Sequence, residues 1–251
     1  MLRRAAPLLV FLAGQVASVA SIATSSRVSG TPTSPGLSPS PARVLAAREL
    51  LIGTLAAKYE SVAARKKSVT EAVDWLLGSH TAAYETRGFV EAALRGEWAL
   101  EESSGRRGSE AESLERDLVV ESITQTLDLG RGRDSLVNTI SWRRPLTGET
   151  GTFRSACDVE MNASEGRLAT WTLSFPRPTK HSIHPKAKLV SDVVDVVDSI
   201  ARVAPFELFD PHGTLLDLEF VDPDLRVMGV ARGSSRGTNN LHVYRRSIAP
   251  P

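Results

Sequence analysis

From Gly96 onward the hydrophobic period of this 251-residue chain changes to two. Gly96-Glu-Trp-Ala-Leu-Glu-Glu102 alternates, and Leu118–Leu129, Ser135–Trp142, Gly151–Met161 and Arg167–Phe175 read as further strands. Turn chemistry separates them at Gly130–Asp134, Arg143–Gly148 and Asn162–Gly166. Successive side chains of a strand point to opposite faces, so each segment has one face to bury. A regular run of short strands with turns between them predicts an antiparallel barrel or sandwich.

The stretch Gly213–Arg226 adds a hairpin. Leu216, Leu218 and Phe220 alternate with Asp217 and Glu219, a half-buried strand pattern. Asp222-Pro223-Asp224 makes a tight turn, because proline fixes φ and carboxylates bond nearby backbone N–H groups. Leu225, Val227 and Val230 resume the extended run, residues 229–240 read as a Gly/Ser/Arg loop, and Leu241–Arg246 as a last strand.

Helical spacing lies on either side of the first strands. Val44, Ala47, Leu51, Leu55 and Val62 predict one helix over residues 42–66. Gly53 inside it costs about 1 kcal/mol relative to alanine, so a packing reason or a break is expected there. Ser68 and Glu71 have capping-box spacing and open a second helix, with Val69, Val73, Leu76 and Leu77 on its apolar side and Gly78 at its end. A third covers Thr86–Leu94. Residues 103–117 read as a loop, as do residues 176–188, interrupted by Pro176, Pro178 and Pro185. Val190, Val193, Val194, Val197 and Ile200 predict an amphipathic helix over Lys188–Ala204, with Asp192, Asp195 and Asp198 on another side.

Charge is unevenly spread. Residues 1–41 hold Arg3, Arg4 and Arg27 and no acid, which leaves 27 basic against 29 acidic residues beyond them. Such a body has no positive field with which to displace counterions, so nucleic acid is not an expected partner. Arg3 and Arg4 precede a short apolar run from Ala5 to Ala13, and Ser18 and Ala20 suit cleavage after Ala20. Residues 1–20 therefore read as a signal peptide, and the apolar run itself is too short to span a bilayer. Residues 21–41, with seven Ser, three Thr, four Pro and no acid, read as disordered. This layout resembles the bipartite presequence of algae with secondary plastids, except that Ser21 stands where such transit segments often begin with an aromatic residue. Secretion with a Ser/Pro-rich linker is the alternative, and the sequon Asn162-Ala163-Ser164 would suit it.

No constellation reads as a built catalytic or metal site. Gly233-Ser-Ser-Arg-Gly237 spells G-x-S-x-G, but that motif needs a helix after it, and no acid follows Ser235 to complete the usual order. His181 and His184 lie in a proline-interrupted loop without a partner ligand. Asp192, Asp195 and Asp198 lack a Gly-centred calcium loop and read as a solvated helix side. Cys157, the single cysteine, forms no internal disulfide and reads as a small core hydrophobe.

Three segments carry a family resemblance. Glu49-Leu-Leu-Ile-Gly-Thr54 is similar to the leading helix of the plastid lipid-associated proteins, or plastid fibrillins; Gly96-Glu-Trp98 is similar to their G-x-W strand, a pattern shared with lipocalins; and Leu216–Val227 resembles their C-terminal Leu-Asp … Leu-Arg run. Asn240–Arg246 resembles the final strand, and the similarity covers residues 45–246. The chain departs from the family at Met228–Asn239, which inserts residues where only an Arg-Gly turn is usual, with Arg232-Gly233 a remnant, and at the long loop after Glu102. The resemblance implies an α+β, mainly β fold: N-terminal helices over residues 42–94 packed on a lipocalin-like antiparallel β-barrel over residues 95–247, in a divergent algal member. It implies a plastid protein that binds or organises apolar lipids such as carotenoids, quinones or acyl lipids at thylakoids or plastoglobules, with no cofactor and no enzymatic activity. By analogy with lipocalins Trp98 stacks with Arg226 at the barrel base, so Gly96, Trp98, Asp224 and Arg226 are expected to close the barrel, while Ile123, Trp171 and Phe220 are the expected inward, ligand-facing positions. A lipocalin-fold enzyme such as a chromophore lyase, in which Cys157 or a histidine would matter, and a secreted lipocalin-like binder are the alternatives.

Overall fold

The computed structural model describes residues 40–80, 86–104, 118–130, 132–163, 171–184, 190–230 and 240–247. All fall in one unit that begins at Ser38. The presequence, most of the loop after Glu102, and the Gly233–Gly237 and Arg232-Gly233 motifs lie outside the described residues.

Helices come first: α1 (Pro41–Ala56), α2 (Val62–Ser79) and α3 (Arg87–Leu94). The single helix expected over residues 42–66 is two. The break falls at residues 57–61, where the Tyr59 hydroxyl donates to the Thr54 carbonyl at the end of α1 and Ser61 caps α2 by accepting from Ala64 N–H. Ser68 is therefore mid-helix rather than a cap, and α2 runs one residue past Gly78. Gly53 is neither a break nor a close approach: α1 continues past it, and nothing lies near where a Cβ would stand. Thr86 caps α3, accepting from Phe89 N–H.

Ten strands follow in antiparallel pairs: β1 (Gly96–Ser103), β2 (Val119–Asp128), β3 (Ser135–Arg143), β4 (Thr150–Asp158), β5 (Glu160–Ala163), β6 (Trp171–Ser174), β7 (Lys180–His184), β8 (Leu215–Val221), β9 (Leu225–Val230) and β10 (Leu241–Arg246). Between β7 and β8 lie α4 (Val190–Val203) and a one-turn helix, α5 (Phe206–Phe209). The order in the sheet is β5-β6-β8-β9-β10-β1-β2-β3-β4-β7. β4 and β5 are one run of chain bent at Val159, whose N–H bonds the Asp134 carbonyl at 3.0 Å. β6 and β7 likewise share one stretch. A single run thus lies near both ends of the order, so the sheet curls back on itself into a barrel-like form. Counted by runs, the strands among the described residues number eight, a size at which side chains fill the interior or leave room for one small ligand.

Two elements differ from the sequence reading. Residues 180–184 form β7, although prolines flank them; its one ladder, to β4, leaves its other edge without N–H obligations that proline would spoil. In α4 the buried positions are Val196 and Ile200, while Val194 is about half exposed.

Apolar side chains separate into two clusters, one inside the curl and one between its outer face and α1–α2. β9 serves both and is buried along its whole length: Met228 and Val230 belong to the inner cluster, Leu225 and Val227 to the outer. β8 changes sides partway. Leu216 and Leu218 are inner, but the register shifts between Leu218 and Phe220, so Phe220 pairs with Val227 and Val221 with Arg226. This β-bulge adds one residue and reverses every side chain beyond it. Phe220 therefore packs in the outer cluster with Leu51 and Leu76, against the inward position that strict alternation implies. Ile123 lies in the inner cluster, and Trp171, partly buried, packs against it.

The hairpin turn has a second function in the fold. Asp222 Oδ1 accepts from the N–H groups of Asp224 and Leu225, which forms the turn. Arg48 of α1 then bridges the carboxylates of Asp222 and Asp224 and ties the helical layer to the hairpin.

Candidate functional site

Three strands carry a polar residue in the middle of an apolar stripe. The inner face of β2 reads Ile123, Gln125, Leu127; that of β3, Leu136, Asn138, Ile140; that of β4, Phe153, Ser155, Cys157. Register aligns them. Trp98 faces Gln125, Gln125 faces Asn138, Asn138 faces Ser155 and Ser155 faces His181, so one polar rung crosses the inner face between apolar rungs. Gln125, Asn138 and Ser155 are wholly buried, and buried polar groups require partners. Gln125 Nε2 donates to Asn138 Oδ1 at 2.8 Å, Asn138 Nδ2 donates to the Leu208 carbonyl at 2.8 Å, and Ser155 Oγ donates to the same carbonyl at 2.9 Å.

At its other end the rung reaches a cation. Arg226 Nη2 donates to Gln125 Oε1 at 2.6 Å. The guanidinium stands 4.8 Å from the Trp98 ring centroid and 4.1 Å from that of Tyr244, within cation–π range of both. Its Nε and Nη1 have no hydrogen-bond partner, and no carboxylate among the described residues forms an ion pair with it. Burial pulls Arg226 down to about 10, with Arg246 adding repulsion and Tyr244 opposing it, so the side chain stays charged at neutral pH. Burial pushes the Tyr244 hydroxyl up to about 12.

Arg246 closes the end of the sheet where β1 begins, a role the sequence reading left to Arg226 alone. It lies 4.2 Å from the Trp98 ring centroid, on a ring that also has Arg226 in reach. Its Nη1 and Nη2 donate to the carbonyls of Arg95 and Ala93 at 2.8 and 2.6 Å, and its Nε donates to the Pro223 carbonyl. Trp98 Nε1 donates to the Leu94 carbonyl at 2.8 Å. Gly96 adopts φ +120°, and a Cβ there would stand 2.8 Å from Arg246 Nη1. Of the four expected closing residues, Gly96, Trp98 and Arg226 meet here. Asp224 contributes its backbone carbonyl, which accepts from Arg246 N–H, while its carboxylate faces Arg48.

Ser103, His242 and Glu207 converge away from this floor. Ser103 Oγ and His242 Nδ1 are 3.0 Å apart, and Glu207 Oε2 lies 4.0 Å from His242 Nε2. Asn240 Nδ2 donates to Glu207 Oε1 at 2.9 Å. The residue types are those of a charge relay, but the geometry is not. All three residues are at most 3% exposed, so no substrate reaches Ser103 as the chain is folded, and the carboxylate is beyond hydrogen-bond reach of the imidazole. Burial holds His242 below its ordinary range and keeps it neutral, although Glu207 pulls the other way.

No protein-family model matches this sequence, and no curated protein does.

The remaining candidates lie apart from one another. A cleft of about 480 Å³ at the β4–β5 bend is lined by Arg87, Arg133 and Arg177. Each already has a carboxylate: Arg133 forms a two-pronged pair with Asp158 at 2.7 Å, Arg177 reaches Asp158 at 3.1 Å, and Arg87 reaches Glu91 at 2.7 Å. His181 stacks on Phe153 and Phe209, and its Nε2 lies 3.1 Å from the Phe209 carbonyl. Burial pushes the Cys157 thiol up to about 12, which removes it as a nucleophile at neutral pH. Among the described residues no group of three or more His, Cys, Asp or Glu is placed to hold a metal, and no helix is long and apolar enough to cross a membrane. The sequence carries the signal for the polar rung: Gln125, Asn138 and Ser155 each occupy the apolar parity of their own strand.

Proposed function

We propose that this chain is a divergent plastid lipid-associated protein: a lipocalin-like, non-enzymatic member of the fibrillins that binds or organises apolar lipid at thylakoids or plastoglobules. The observation that carries the reading is the closure of a barrel-like sheet at a G-x-W strand, where Trp98 lies within reach of two arginines at the base. The inner face of the sheet supports it. Ile123, Ile140, Phe153, Leu173, Leu218 and Met228 present an apolar lining on either side of the polar rung, and apolar walls with a few placed polar groups suit small apolar ligands. The signal-like and acid-free segments of residues 1–41 support delivery to a plastid.

Mass spectrometry of lipids that copurify with the protein from native cells, beside a control domain, tests the binding reading. A carotenoid, quinone or acyl lipid enriched over the control is expected, and its absence would leave a scaffold role. A fluorescent fusion tests the location. Plastid fluorescence is expected, and retention in the secretory pathway would overturn the plastid assignment in favour of a secreted binder. Covalent transfer or turnover of a bound pigment by the purified protein would overturn the non-enzymatic reading.

A further inference from the structure

We propose that Asn162 carries an N-linked glycan, added while the chain crosses the endoplasmic reticulum. The proposal rests on the reading of residues 1–20 as a signal peptide and is independent of lipid binding. A bipartite plastid presequence and a plain secretory signal both begin with that crossing.

The chain has four asparagines, Asn138, Asn162, Asn239 and Asn240, and only Asn162 heads an Asn-x-Ser/Thr triplet with no proline in the middle. Ser164, the hydroxyl residue of the triplet, lies outside the described residues. Its hydroxyl serves the transferase, which reads the triplet in the extended chain before the fold exists. The fold must then accept what was added.

A glycan is bulky and strongly hydrated, so its asparagine must face solvent and must not be needed inside. Asn138 fails on both counts: it is wholly buried, and its amide donates to the Leu208 carbonyl. Asn162 meets both. Met161 is 3% exposed and belongs to the inner cluster, so strand alternation turns its neighbours Glu160 and Asn162 outward, and both are exposed. Across the ladder Asn162 faces Thr172, a small residue.

The amide has a proton to spare. Among the described residues Asn162 Nδ2 makes one hydrogen bond, to Ser174 Oγ at 3.3 Å, and a carboxamide nitrogen carries two N–H groups. Transfer forms a bond from Nδ2 to the anomeric carbon of an oligosaccharide carried on a lipid diphosphate. The sugar–phosphate C–O bond breaks, the lipid diphosphate leaves with the bonding pair, and one amide proton passes to a base of the transferase. The N–H that remains is enough for Ser174.

Space is present as well. Asn162 lines the cleft of about 480 Å³ at the β4–β5 bend, together with Met161, Pro176 and Arg177, so a first sugar fits without displacing a strand. Among the described residues β5 has a ladder only to β6. An unpaired edge is a template for pairing with another chain, and a hydrated glycan beside it obstructs that.

Release by peptide N-glycosidase, applied to the protein purified from native cells, tests the proposal. In heavy-oxygen water the enzyme converts a glycosylated asparagine to labelled aspartate. The tryptic peptide Ser155–Arg167, which holds no other asparagine, is expected to carry that label, and the intact chain is expected to gain electrophoretic mobility. Ser164→Ala should abolish the label with the Asn162 side chain intact, and Ser164→Thr should keep it. Label that persists in Ser164→Ala would come from spontaneous deamidation and would overturn the proposal. An unlabelled peptide with unaltered Asn162 would overturn it too, and exchanging residues 1–20 for a secretory signal of known function then locates the error. A glycan gained by the exchange puts the error in the signal-peptide reading, and none puts it at Asn162.

Discussion

The floor of the sheet and the α5 segment fill the same interior by different means. At the floor, Trp98 meets Arg226 and Arg246, and Arg246 ties β10 to the chain entering β1 and to the hairpin turn through three backbone carbonyls. Every partner there belongs to a strand with its own ladder, to α3 or its junction with β1, or to the β8–β9 turn. Beside β7 the interior is filled by one turn of helix, whose contacts include the carbonyls of Leu208 and Phe209, the Glu207 carboxylate, and the Phe209 ring stacked with Phe153 and His181. The first arrangement opens only if the sheet opens. The second packs against strands that are paired with one another without it. The difference separates closure by paired strands from filling by a single short turn.

The largest expected effect is at the floor. Trp98→Ala removes a wholly buried indole and should cost about 4 kcal/mol in denaturant unfolding, against about 2 kcal/mol for Leu208→Ala. Equal costs would mean that α5 is as integral as the floor. Gly96→Ala should cost about 2 kcal/mol, because its φ of +120° is strained for any other residue and its Cβ would press on Arg246. No loss would contradict the tight closure described here.

Acid should act on the α5 side. His242 faces Ser103 of β1 and Glu207 of α5, with Tyr244 and Arg226 near it on the inner face, and its folded pKa lies below the ordinary 6.5. The unfolded chain therefore takes up this proton first as pH falls. Stability is full above pH 6.5 and declines below it at up to about 1.4 kcal/mol per pH unit, until the folded histidine also protonates. His80, half-buried at the end of α2, is shifted in the same direction by burial. His242→Asn should flatten the slope, and an unchanged slope would assign the acid sensitivity to His80 or to carboxylates. The smallest effect belongs to the outer layer: Arg48→Ala should cost about 1 kcal/mol, the scale of a partly exposed ion pair, and should leave ligand affinity unchanged.

What was legible in the sequence followed from local chemistry. Alternation marked the strands, Asp222-Pro223-Asp224 marked its turn, and Gly96-Glu-Trp98 marked the start of β1. The misses arise from effects that no single segment displays. The bulge at Glu219 sends Phe220 to the α1–α2 side, because a register shift is a property of two strands. The break after α1 depends on Ser61 finding Ala64 N–H, while Ala57, Lys58 and Glu60 raise no objection to helix. Ser103 and His242 are 139 residues apart and meet only once β1 pairs with β10. A four-residue helix such as α5 is too short to show a period.

Native-state hydrogen exchange measures most directly whether α5 opens independently of the floor. The amides of Leu208, Phe209 and Asp210 should exchange through a local opening well below the free energy of global unfolding, while Arg246 N–H, bonded to the Asp224 carbonyl, and its β1–β10 neighbours exchange only with the whole unit. Equal protection at the two places would contradict the account.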